Sequence, residues 1–259
     1  MSKNTPYTAT VLAKNIISLY PLALVALLWE ATARLGFIRG IFLPPFSTVI
    51  ELMPKLFTEG QLLQPLAISL YRAAAGLVIA ILVGVPLGFL MARNRLALFF
   101  FEPLVSFGFS SPKIALLPIF ILWFGIDHMS KILLVALTSV FPFIVAALEG
   151  AKNVTTNQLW AARAMGTSHF ALLRRVVFPA SLPSLMSGIR VAVPYALMTA
   201  FTAEMVAGGG GLGGALVLAQ RYFETPTVFA YILIMLAVGY LLDIAFISAR
   251  SYILRWHEE

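Results

Sequence analysis

Apolar residues run through this chain in long stretches, and the breaks between them are short, charged, or rich in proline and glycine. A helix needs about 20 apolar residues to cross roughly 30 Å of hydrocarbon. Six stretches suit that length: about 16–35, 66–92, 96–126, 130–149, 182–207 and 227–249. Between the first two lies a proline-containing connection (Pro44, Pro45, Pro54, Pro65), with room for one short amphipathic helix over 47–58 and Ser47 as its cap. The second stretch carries one charge, Arg72, and Gly76, Gly84 and Gly88 on or near one face, where small residues let helices approach in lipid. Arg93 and Arg95 stop it.

The third stretch is interrupted by Glu102, Pro103, Ser111, Pro112, Lys113 and Pro118, and reads as a broken or bent span. Irregular backbone at membrane depth is tolerated only where it is buried in protein or lines a cavity, so this region is a candidate for a passage. The fifth stretch holds Arg190, Pro194 and Glu204, and the sixth holds Asp243. The first stretch is expected to be retained as a span, not cleaved as a signal peptide.

Composition makes the membrane reading firm. Of 259 residues, 60% are hydrophobic and only 11% charged, against about 25% charged in a soluble domain. The net charge of +7 would suggest nucleic acid in a soluble protein. Here basic residues fix topology instead. With the N-terminus inside, ten basic residues fall in cytoplasmic segments (Lys3, Lys14, Arg93, Arg95, Lys152, Arg163, Arg174, Arg175, Arg250, Arg255). Five fall outside (Arg34, Arg39, Lys55, Lys131, Arg221), so both termini are expected in the cytoplasm. Cysteine is absent, which excludes disulfides, thiol catalysis and cysteine-based metal sites.

That topology puts 152–179 in the cytoplasm. Within it, 160–179 reads WAARAMGTSHFALLRRVVFP, more than a loop needs merely to join two spans. Gly166 suits a left-handed cap ending a helix at about 158–165. Thr167 or Ser168 can cap the next helix. Arg163, Arg174 and Arg175 charge the segment, which is expected to present a surface to a partner. A partnerless interfacial helix would not need this glycine spacing.

The same residues resemble the EAA loop of ABC importer permeases: E-A-A, three residues, G, nine residues, I-x-L-P. Ala161 and Ala162 match the alanines, Gly166 the glycine, Val176 the isoleucine position and Pro179 the proline. Trp160 stands where glutamate is usual and Phe178 where leucine is usual. Phe42-Leu-Pro-Pro45, Ser69-Leu-Tyr-Arg72, Leu122-Trp-Phe-Gly-Ile-Asp127, Gly188-Ile-Arg190 and Ala203-Glu204 are similar to the taurine, alkanesulfonate and nitrate importer permeases, as is the final Arg255-Trp-His-Glu258.

The resemblance implies an all-α membrane protein with six transmembrane helices, the type I ABC importer permease fold, with cytoplasmic coupling helices. It implies a second copy of the permease, two cytoplasmic ABC ATPase subunits and an extracytoplasmic solute-binding protein, in a bacterial inner membrane. The solute would be a small anion such as taurine, another sulfonate or nitrate. Trp160, Ala161, Ala162, Arg163, Gly166, Thr167, Ser168, Arg174, Arg175 and Pro179 would form the ATPase contact. Trp160 is expected to pack as an apolar anchor, in this chain or against the ATPase.

No other chemistry competes with that reading. The run 208–214 (GGGGLGG) fits G-x-G-x-x-G at Gly208, Gly210 and Gly213, but a span precedes it instead of a strand, so a flexible outer loop or hinge is expected. No glycine is followed by lysine, so there is no P-loop; ATP and Mg belong on a separate ATPase chain, and this chain is expected to bind no cofactor. His128, His169 and His257 lack metal-ligand spacing, and no catalytic constellation is visible. His128 beside Asp127 is expected to be a solvated pair in an outer turn. Ionisable residues inside spans are costly and mark sites or inter-helix pairs. Arg72, Arg190 and Glu204 are such residues, and with Pro112, Lys113 and Trp123 they are the candidates for the passage. A stand-alone secondary transporter or channel is the alternative.

Overall fold

The computed structural model describes the backbone of residues 7–254 and the side chains of residues 20–254 apart from His169. Lys3, the side chain of Lys14, and the tail Arg255-Trp-His-Glu258 lie outside the described residues. The described chain is helical, with no strand among those residues.

Three helices form the centre: α3 (Leu63–Arg93), α6 (His128–Lys152) and α9 (Phe178–Ala207). They follow α1 (Tyr7–Arg34), α2 (Phe46–Thr58) and, between α3 and α6, α4 (Arg95–Ser110) and α5 (Leu117–Phe124). The glycines of α3 do what their spacing suggests: a Cβ on Gly84 would lie 2.8 Å from the Val140 carbonyl oxygen, and one on Gly88 2.5 Å from that of Ile144. Gly188 of α9 meets Ala146 of α6 as closely. Backbones in direct approach give helices in lipid the packing that the hydrophobic effect cannot supply there.

Between α6 and α9 stand α7 (Thr156–Ala164), α8 (His169–Leu172) and a π-helical turn, Leu173–Val177. The chain ends in α10 (Gly211–Arg221) and α11 (Thr225–Ile253).

Among the described residues four helices are long and apolar enough to cross a membrane: α3, α6, the run Phe170–Ala207 containing α9, and α11. The segments Arg95–Ser110 and Lys113–Phe124 make a fifth if counted as one span bent by 94°. The expected six are thus found as four or five. The stretch 16–35 lies largely within α1, whose side chains before residue 20 are not described. Large apolar side chains such as Phe99, Phe107, Leu122 and Leu236 are exposed along the outer helices, as a lipid-facing surface requires.

Three sequence expectations are corrected. Ser47 does not cap α2: Pro45 holds the cap position and Ser47 sits in the first turn. Glu30 of α1 takes that role, accepting from Ser47 N at 3.0 Å and Ser47 Oγ at 2.9 Å, while Arg34 Nε donates to the same carboxylate at 2.5 Å. A carboxylate facing a helix start satisfies free N–H groups and complements the helix dipole. The glycine run is not a flexible loop: Gly208 to Gly211 all have positive φ, and from Gly211 the chain is α10. The α10 residues Leu212, Leu216 and Ala219 pack with Val49 and Leu56 of α2 and with Ala230 and Tyr231 of α11. Lys131, counted with the outer segments, is not solvated there; it is fully buried in the first turns of α6.

Candidate coupling surface and translocation pathway

The island is built on one turn. α7 opens with a capping box in which Thr155 Oγ1 accepts from Gln158 N and Gln158 Oε1 accepts from Thr155 N. It closes at Gly166, φ 75°, with Gly166 N donating to Arg163 O at 2.9 Å and Thr167 N to Ala162 O at 3.3 Å. These two bonds are the Schellman pair, which needs a left-handed residue that glycine supplies most cheaply. The A-x-x-x-G spacing therefore has a mechanical meaning: the carbonyl of the second alanine receives the closing bond. Ala162 is buried, and the Thr167 hydroxyl also donates to its carbonyl. Ser168 then caps α8 through Ala171 N at 3.3 Å.

A cluster of Phe89, Ala147, Val154, Val177 and Leu185 anchors the island to the three central helices. Phe178, in the usual leucine position, sets its ring edge-on to Phe89. The other face is bare: Trp160 is 63% exposed, Met165 79% and Phe170 72%, with Arg163, Arg174 and Arg175 also exposed. Trp160 does not pack as an anchor within this chain. An exposed apolar and cationic face, held by a hydrogen-bonded turn with Ala162 buried beneath it, is the physical form of a docking surface.

The opposite end holds a buried ionic knot. Arg72 from α3 is 1% exposed and Glu204 from α9 is 0% exposed, paired at 2.9 Å. Glu204 also accepts from Ser69 Oγ at 2.7 Å and Gly213 N at 3.1 Å. Arg72 donates to the carbonyls of Gly209 at 2.6 Å and Gly210 at 3.1 Å. Ser69 Oγ accepts from Leu212 N at 2.8 Å. A Cβ on Gly211, φ 85°, would stand 2.2 Å from the Glu204 carboxyl carbon. The glycines are thus needed to close backbone around the ion pair. Lys131 Nζ lies beside them, donating to Ile126 O at 2.5 Å and Asp127 O at 3.2 Å. His128 stands edge-on to Tyr71 and makes no ion pair with Asp127 among the described residues.

The expected passage residues therefore divide. Arg72 and Glu204 are sealed in the knot, 132 residues apart in sequence. Arg190 Nε meets Asp243 at 3.7 Å with both side chains partly open. Trp123 stands on α5 beside Phe120 and Phe124, largely exposed. Pro112 and Lys113 sit at the 94° elbow and line a cavity of about 270 Å³ with residues of α6 and α9.

That cavity has neighbours on both sides. One of about 310 Å³ shares Phe109 and Pro142 with it and runs toward Glu149, Ser184 and Ser187 at the island end. One of about 580 Å³, between α9 and α11, shares Met198 and Thr202 and contains Arg190 and Asp243. Along α9, Ser184, Ser187, Val191, Tyr195, Met198 and Thr202 recur every three or four residues, so a single helical face lines the cavities of about 270 and 310 Å³.

Residues 84–246 match the family described as "Binding-protein-dependent transport system inner membrane component". The chain belongs to that family of transport permeases. It is 32% identical over 248 residues to the taurine transport system permease protein TauC of Escherichia coli K12, covering 94% of this chain and 90% of that protein. It is 31% identical to the putative aliphatic sulfonates transport permease protein SsuC of Bacillus subtilis 168, over 90% and 85% of the two chains. Among solved structures, an inward-facing MetNI methionine ABC transporter chain shares the fold, with a TM-score of 0.63 at 18% identity over 72% of this chain and 93% of that one. Family membership makes this a permease subunit of an ABC transporter in the type I importer fold, with no catalysis of its own.

Sequence reasoning missed three of these permease features. α10 was hidden because glycine is a poor helix former. The Glu30 cap spans 17 residues, beyond any local pattern. The capping box at Thr155 has a local T-x-x-Q signal, Thr155 to Gln158, that marks the start of α7.

Proposed function

We propose that this chain is the transmembrane subunit of an ATP-driven importer, working as a pair of identical copies with two cytoplasmic ATPase subunits and an extracytoplasmic solute-binding protein. Both termini face the cytoplasm. The solute is a small organic sulfonate of the taurine type, a reading supported by the names of the relatives; nitrate has no such support. The observation that carries the proposal is the exposure of Trp160, Met165 and Phe170 with the three arginines, on a hydrogen-bonded Ala162–Gly166 turn whose Ala162 is buried. A chain without a P-loop needs such a contact to receive work from ATP. Closure of the ATPases would pull the island, and the π turn Leu173–Val177 would pass that movement into α9, whose face lines the cavities.

The test is extraction of tagged permease in mild detergent together with uptake of labelled taurine by intact cells. Retention of an ATPase subunit, and loss of both retention and uptake in Gly166→Val, support the proposal. Uptake that survives ATP depletion and needs only an ion gradient would replace it with a secondary transporter.

A further inference from the structure

We propose that the cavity beneath the elbow is a transit site for the oxyanion head of a small organic anion, with Lys113 as its cationic anchor. The inference rests on the reading that this chain passes a solute, and it assigns a place and a chemistry to that passage.

The electrostatics select the charge sign. Every ion pair among the described residues leaves Lys113 out: they are Glu30–Arg34, Arg72–Glu204 and Arg190–Asp243. Lys113 Nζ donates to the carbonyls of Phe109 at 3.0 Å and Ser111 at 3.3 Å, and lies 5.0 Å from the centre of the Phe141 ring. An ammonium has three protons, so one donor remains for a ligand. No aspartate or glutamate lines this cavity. A half-buried cation without a carboxylate is costly to hold at membrane depth, and such residues mark ion and substrate routes.

Uncommitted hydroxyls point the same way. Thr138 and Thr202 donate to carbonyls of their own helices, Leu134 at 2.9 Å and Met198 at 2.7 Å. Thr199 and Tyr195 line the same cavity and make no hydrogen bond among the described residues. One ammonium and two free hydroxyls are a donor set, suited to an oxyanion and poorly suited to a cation. The remaining wall includes Phe109, Phe141 and Met198, which would take a short alkyl segment. The other buried cations differ: Arg72 is paired in the knot, and Lys131 is enclosed against the glycine loop.

The experiment uses the purified full-length permease in lipid nanodiscs, without binding protein or ATPase, and 2,2,2-trifluoroethanesulfonate followed by ¹⁹F line broadening. Saturable broadening is expected, displaced by ethanesulfonate but not by the neutral ethanesulfonamide. Lys113→Gln should weaken it by about tenfold or more, the usual loss when a charge-assisted contact goes. Lys113→Arg should retain most of it, and Thr199→Val, which keeps the side-chain shape, should weaken it less than Lys113→Gln. Displacement by acetate and sulfate at equal concentration would widen the ligand class to oxyanions in general, as the donor set allows. Broadening that does not saturate, or that is equal in wild type, Lys113→Gln and Thr199→Val, overturns the site. Cellular uptake separates the two readings: wild type that imports no sulfonate refutes the proposed substrate, whereas uptake with a Lys113-independent probe signal refutes only the transit site.

Discussion

Replacing Glu204 by glutamine tests the buried knot with the smallest change of shape. The carboxylate accepts from Arg72 at 2.9 Å, Ser69 at 2.7 Å and Gly213 N at 3.1 Å. Glutamine keeps one acceptor oxygen and turns an NH2 group toward a remaining donor. At least one charge-assisted bond is lost, about 1.5–3 kcal/mol. Arg72 is then left buried without a counter-charge, with the carbonyls of Gly209 and Gly210 as acceptors and Lys131 as a neighbouring cation. Breaking one side of a buried pair costs about 3–5 kcal/mol in total. Steric-trap unfolding in bicelles would read this directly, with thermal stability in detergent as a second measure. The double variant Arg72→Met/Glu204→Met should recover a substantial part of the loss, because no charge is stranded. A Glu204→Gln protein within about 0.5 kcal/mol of wild type would refute the assignment of the knot as a load on stability.

Further predictions probe the rest of the fold. Gly88→Leu should abolish folded protein on fluorescence-detected gel filtration, because its side chain meets the Ile144 carbonyl, and overpacking costs about 1–3 kcal/mol or more. Thr155→Ala should loosen α7 by about 1 kcal/mol, seen as faster hydrogen exchange over 156–164 with the central helices unchanged. Asp243→Asn should change stability by less than about 1 kcal/mol, since the Arg190 pair is long and partly open.

Local signals in the sequence were easy to read and distant pairings were not. Apolar run length located α3, α6, α9 and α11, and the prolines and Lys113 located the elbow. Gly166 announced its turn because a left-handed position restricts residue choice locally. The candidate ions were visible as charges inside apolar stretches, but their partners were not. Arg72 and Glu204 meet across 132 residues, and no periodicity encodes that distance. The burial of Lys131 was not visible because a lysine near a span end looks like a topology signal, whereas here backbone carbonyls of the preceding turn enclose it. The glycine run misled for a related reason: its φ values are left-handed, but the conformation is imposed by the ion pair it wraps.

The absence of cysteine allows the coupling surface to be tested with little background from this chain. Single cysteines at Met165, Phe170 and, as a lipid-facing control, Phe99 can be cross-linked in membranes that hold the assembled transporter. Cross-links from Met165→Cys and Phe170→Cys to an ATPase subunit, changing in yield when ATP is trapped, and none from Phe99→Cys, are the expected result. An assembled, active transporter in which neither island position reaches the ATPase would contradict the coupling role of the island.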